Sequence, residues 1–185
     1  MIATIILAAG QSRRMGRAKL LIKYRGKSLL KIAIDKALQV SGISYLVVGA
    51  KQEYLNEIKN SEVIALNNPN WNEGLASSLR LGVASLDKNV RAALIILPDQ
   101  PLVEVKHLQK LIKLFDATNK NLVYSKYQET LGVPAIIGRD LFAQVSKITG
   151  DKGARVLAAN NEFEWLLLEH YLDIDRPEDL SNILQ

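Results

Sequence analysis

A chain of 185 residues with an apolar fraction of 48% has the length and composition of one globular domain, and we read residues 1–185 as a single domain. No cysteine is present, which excludes disulfides, thiolate nucleophiles and Cys-ligated zinc or iron-sulfur sites. No apolar run approaches the roughly 20 residues that a membrane-spanning helix needs, and the start MIATIILAAG lacks the basic region of a secretory signal. The expectation is therefore a cytoplasmic protein with no membrane partner. The net charge of +5 suits a polyanionic partner. Arg13, Arg14, Arg17, Lys19 and Lys23 fall in one short stretch while aromatics are scattered, which favours a phosphate pocket over a nucleic-acid groove.

In chain order, Ile2–Ala8 reads as a buried strand that runs into a glycine turn. Leu29, Leu30, Ile32, Ala33, Ala37 and Leu38 recur at helical spacing, and Tyr45–Val48 is a second strand. A polar helix near 52–59, a strand at 63–66, a turn-rich stretch at 67–73 and a helix at 74–86 follow. RAALIIL, residues 91–97, is the most apolar strand, and PDQP separates it from an amphipathic helix at 104–115. Beyond it lie strands at 122–125 and 134–137, with a small insertion around 125–135, helices at 140–145 and 152–159, and a strand at 165–168. Alternation of this kind predicts a mostly parallel sheet between two helical layers, with ligands at the carboxyl ends of the strands.

The chemistry-bearing segments follow strands. In LAAGQSRRMGRAK, backbone groups of Leu7, Ala8, Ala9 and Gly10 can wrap a phosphate chain. Gly16 closes the turn, Ser12 adds a hydroxyl, and Arg14 and Lys19 are the cations. The loop is neither GxxxxGK[ST] nor GxGxxG, so neither the P-loop nor the dinucleotide fingerprint applies. Pro98 and Asp99 emerge at the ligand edge, where a carboxylate suits Mg²⁺; Asp175, within the cluster Asp173, Asp175, Glu178 and Asp179, is either a second ligand or a helix cap. NPNWNEGLASSLRLG supplies Asn68, Asn70, Gly74, Ser77, Ser78 and Arg80 around a helix start. TGDKGAR offers Asp151 and Arg155 at a second turn, and Gln100 lies beside Asp99. His107 and His170 read as structural or exposed residues, not as ligands, and Trp71 and Trp165 as packing residues, not as stacking platforms.

Together LAAGQSRRMGRAKLL, NPNWNEGLASSLRLG, LPDQPLV, GDKGAR and DIDRPEDL, in this order over nearly the whole chain, resemble the molybdenum cofactor nucleotidyltransferase family, and within it most the cytidylyltransferases. The resemblance implies a Rossmann-like three-layer α/β/α nucleotidyltransferase fold. It also implies Mg²⁺-dependent transfer of CMP from CTP to molybdopterin with release of pyrophosphate, and hand-over of the product to a recipient molybdoenzyme or its chaperone. On that reading Arg14, Lys19 and Asp99 are catalytic, and Asp99 and Asp175 hold Mg²⁺. Leu7, Ala8, Ala9, Gly10, Ser12, Arg14, Lys19, Asn68, Gly74, Ser78, Pro98 and Asp99 bind nucleotide, and Ser77, Gln100, Asp151 and Arg155 meet the acceptor. LAAG instead of the guanylyl branch's LAGG favours CTP over GTP through Ala9. Where relatives often read GHP this chain reads GVP, so Val133 stands in place of an imidazole. A guanylyltransferase, a sugar- or polyol-phosphate nucleotidyltransferase and a non-catalytic nucleotide or cofactor carrier are the alternatives.

Overall fold

The computed structural model describes residues 1–10, 18–59, 61–174 and 179; Ser12, Arg14, Gly16, Asp175 and Glu178 lie outside them. The first strand, β1 (Ile2–Ala8), is buried along its whole length, as an unbroken β-branched run requires. After it come a short antiparallel ribbon, β2 (Lys23–Tyr24) and β3 (Lys27–Ser28), and the helix α1 (Leu29–Val40). Ser28 caps α1 by accepting the Lys31 N–H at 3.0 Å, and Leu29, Leu30, Ala33, Ile34 and Ala37 form its buried face. The chain continues through β4 (Ser44–Val48), β5 (Val63–Asn67), α2 (Leu75–Ala84), β6 (Ala92–Ile96) and α3 (Val105–Ala117). It then forms β7 (Leu122–Tyr127), β8 (Thr130–Gly138), α4 (Phe142–Val145) and β9 (Glu164–Leu167).

Among the described residues the main sheet has seven strands in the order β5-β4-β1-β6-β8-β7-β9. Only β8 runs against its neighbours, so β1, β4, β5, β6, β7 and β9 all point their carboxyl ends to one edge. Alternation along β1 divides the core. Ile2, Ile6 and Ala8 pack with α1 and α3, while Ala3, Ile5, Leu7 and Ala9 pack with α2 and α4. The sheet is thus the middle of three layers.

Three segments differ from the sequence reading. Residues 125–135 are not an insertion but the two ends of the β7–β8 hairpin, which the sequence pattern shortened because Gly132 and Pro134 interrupt it. Residues 52–58 and 154–159 are 3-10 turns rather than α-helices. Trp165 is about half exposed on the edge strand β9, with the Lys126 ammonium 4.8 Å from its ring centre.

His107 lies under the hairpin. The Ser125 hydroxyl donates to the Pro134 carbonyl at 2.7 Å, so its oxygen accepts from the His107 Nε2–H at 2.8 Å. Burial, aided by the Lys110 charge, lowers the imidazole from its usual 6.5 to about 4. Because the folded state takes up this proton less readily than the unfolded one, stability is complete above pH 6.5 and falls as pH drops towards 4. The expected loss across that window is about 3 kcal/mol. Thermal melts of His107→Gln between pH 7 and 4.5 should fall less steeply than those of the parent; parallel slopes would show that another group governs acid sensitivity.

Candidate active site

The carboxyl edge of the sheet gathers the loops after β1, β4, β6 and β7. Leu7, Ala8 and Ala9 have buried side chains, so only their backbone can meet a ligand, and the Ala9 carbonyl already accepts the Ala50 N–H at 3.3 Å. Gly10 is exposed with open space where a Cβ would stand. Lys19 opens a 3-10 turn at Lys19–Leu21 and reaches across the edge to Asp99, its Nζ 2.7 Å from Oδ2. Their side chains are only 12% and 20% exposed, so the pair sits in a partly dehydrated cleft where its charges act strongly. The other carboxylate oxygen, Oδ1, is buried without a hydrogen-bond partner.

An unpartnered buried carboxylate oxygen at the carboxyl edge of the sheet fits a divalent cation. Of the two carboxylates read as metal ligands from the sequence, only Asp99 falls within the described residues, which hold no group of three or more His, Asp or Glu suited to a metal. The Ile174 N–H donates to the Asp99 carbonyl at 3.0 Å, so the chain reaches the Asp99 loop one residue before Asp175.

A polar hub backs the neighbouring wall. Asn68 is 3% exposed, and its amide donates to Ser77 Oγ at 2.9 Å and Ser78 Oγ at 3.0 Å while its Oδ1 accepts the Asn70 N–H. The Ser77 hydroxyl in turn donates to the Gly74 carbonyl at 2.9 Å, so the trio ties the turn after β5 to the start of α2. Gly74 begins α2 at φ +117°, and a Cβ there would lie 2.6 Å from the Gly150 carbonyl oxygen; both the conformation and the contact require glycine. The Ala76 N–H donates to that carbonyl at 3.1 Å and the Leu75 N–H to Asp151 Oδ1 at 3.3 Å, so the GDKGAR turn caps α2. Arg80 completes the brace, donating to Glu73 and, at 2.6 Å, to the Ile148 carbonyl. Asp151 thus puts one oxygen of its exposed carboxylate on this cap, and Arg155 is exposed.

On the other side Pro98 is buried, and Gln100, 4% exposed, donates to Asp173 Oδ1 at 2.8 Å while its own Oε1 has no partner. Lys36, which sequence reasoning passed over, holds this loop from behind by donating to the Pro101 carbonyl at 2.8 Å. Burial lowers its ammonium to about 8, with Glu104 opposing. Its position seven residues after Leu29 and three after Ala33, on the apolar face of α1, was the available signal. Val133 packs into the apolar cluster on the α2 side.

Residues 4–164 match the MobA-like NTP transferase domain. The chain is 25% identical over 180 residues to the molybdenum cofactor cytidylyltransferase of Escherichia coli K12, covering 95% of this chain and 91% of that protein. It is 27% identical over 196 residues to the purine catabolism protein PucB of Bacillus subtilis 168, covering 97% and 94%. The crystal structure of Rv0371c from Mycobacterium tuberculosis superposes with a TM-score of 0.84 at 26% identity over 99% of this chain and 97% of that one. Its manganese complex gives a TM-score of 0.80 at 24% identity, over 99% and 97%. A Rossmann-like sheet with a cation–carboxylate pair at its ligand edge and a sequence match spanning that edge make this chain a nucleotidyltransferase of the MobA-like NTP transferase domain family.

Proposed function

We propose that the protein transfers CMP from CTP to the terminal phosphate of molybdopterin in a Mg²⁺-dependent reaction that releases pyrophosphate. The observation that carries this reading is Asp99, with Oδ2 on Lys19 and Oδ1 left for a cation, at the edge that the glycine-rich loop also reaches. Likeness to the E. coli cytidylyltransferase over nearly the whole chain supports the substrates. In the reaction an acceptor phosphate oxygen forms a bond to the α-phosphorus of CTP as the α–β anhydride bond breaks and its electrons leave with pyrophosphate. No protein nucleophile is needed, and the protein's task is alignment and charge neutralisation. Lys19, with Arg14 on the same loop, neutralises charge that moves onto the leaving group. Asp99, with Asp175 as the second ligand, would hold Mg²⁺, which would supply positive charge to offset that of the triphosphate. The backbone of residues 7–10 lies along the nucleotide, and Gln100 and Arg155 face the acceptor. The product is then suited to delivery to a molybdoenzyme or its chaperone.

Incubation with CTP, Mg²⁺ and molybdopterin should release one pyrophosphate per dinucleotide formed, and chelation by EDTA should abolish it. Turnover with GTP alone would assign the guanylyl branch. Val133, an apolar side chain where relatives often carry histidine, favours a second reading in which the acceptor is a sugar or polyol phosphate. A panel of such phosphates in the same assay separates the two.

A further inference from the structure

Two tyrosines stand at the ligand edge without a role in the chemistry above. Tyr127 is the last residue of β7, at the same sheet edge as Ala8 and Ile96. Tyr171 belongs to the segment 168–174 that follows β9 and returns along this edge. That segment is bonded at one end by the Leu168 N–H to the Lys126 carbonyl at 2.8 Å and at the other by Ile174 to Asp99 at 3.0 Å. Gln100 ties its Asp173 to the metal-side loop at 2.8 Å. The two rings lie with centroids 4.5 Å apart and planes 37° apart, and both side chains are only partly buried.

We infer that Tyr127 and Tyr171 form an aromatic wall of the acceptor subsite and select an acceptor with a flat heterocyclic ring; this rests on the acceptor reading above. Partly exposed, paired rings beside a phosphate-handling edge offer a π-face to a planar heterocycle, and stacking of this kind tolerates variation in ring substituents. The backbone makes room for the wall at a specific cost. A Cβ at Gly132 of β8 would collide with the Tyr127 hydroxyl, so the phenol, which crosses the strand there, would have to shift if that residue carried a side chain. Burial pushes the Tyr127 phenol up, Asp173, Tyr171 and Asp99 adding to the effect and Arg155 opposing it, which leaves the hydroxyl a donor at neutral pH.

Steady-state kinetics with CTP, Mg²⁺ and anaerobic molybdopterin test the wall. Tyr127→Leu and Tyr171→Leu should raise the KM for molybdopterin on the order of 10-fold, leaving the KM for CTP close to the parent value. Tyr127→Phe should restore the parent KM, because the ring face is kept. Gly132→Ala, which displaces the phenol, should reproduce the leucine phenotype. Parent-like KM values for molybdopterin in both leucine variants overturn the wall and leave the cytidylyltransferase reading standing. A parent protein that ignores molybdopterin while it turns over polyol phosphates overturns that reading and the wall together.

Discussion

Lys19→Met should lower pyrophosphate release on the order of 100-fold or more, the usual cost of removing a donor aimed at shifting charge. The variant should also be less stable, by about 2 kcal/mol, because Asp99 would keep a largely buried carboxylate that has lost the ammonium on Oδ2 and has no hydrogen bond on Oδ1. This departs from what a loop position suggests, since loop lysines are mostly solvated and cheap to remove. Thermal melts with and without Mg²⁺ give the second reading of the same variant. A divalent cation on Asp99 replaces the lost positive charge, so Mg²⁺ should raise the melting temperature of Lys19→Met more than that of the parent. Full activity in the variant, or equal Mg²⁺ shifts in both proteins, would remove Lys19 from the mechanism or Asp99 from the metal site respectively.

Asp99→Asn separates the two roles. Activity should again fall on the order of 100-fold or more, and stability should fall as well, since Lys19, only 12% exposed, loses that counter-charge even though an amide oxygen can still accept from it. What should disappear is the metal response. An amide is a neutral and weaker ligand for Mg²⁺, so the concentration of Mg²⁺ needed for half-maximal turnover should rise together with the loss of rate. Unchanged Mg²⁺ dependence with the rate alone reduced would assign Asp99 a role in orienting Lys19 and no metal.

The strands of the sheet were legible because burial on both faces demands continuous apolar, β-branched runs, as in Ile2–Ala8 and Ala92–Ile96. Position after a strand was enough to bring Asp99 and Lys19 into one site, because parallel strands deliver their following loops to a single edge. The β7–β8 hairpin was shortened in the sequence reading since Gly132 and Pro134 carry turn signals that the neighbouring strand overrides through its ladder. Asn68, Ser77, Ser78 and Asp151 were singled out from their motifs, but the sequence did not show that Asn68 binds both serines or that Asp151 caps α2. Such pairings depend on contacts across many residues, which no local pattern records.

The sequence by itself determined the layered α/β architecture, which follows from short-range periodicity and glycine placement, and its clustered charge is what led to reading the loop after β1 as a phosphate loop. Only the tertiary structure decided that Lys19 spends its charge on Asp99, that one oxygen of that carboxylate is left buried without a partner, and that the segment after β9 returns Tyr171 to Tyr127 at the ligand edge. These are distances between residues far apart in the chain, and they exist only once the strand order β1-β6-β8-β7-β9 has set which carboxyl ends are neighbours.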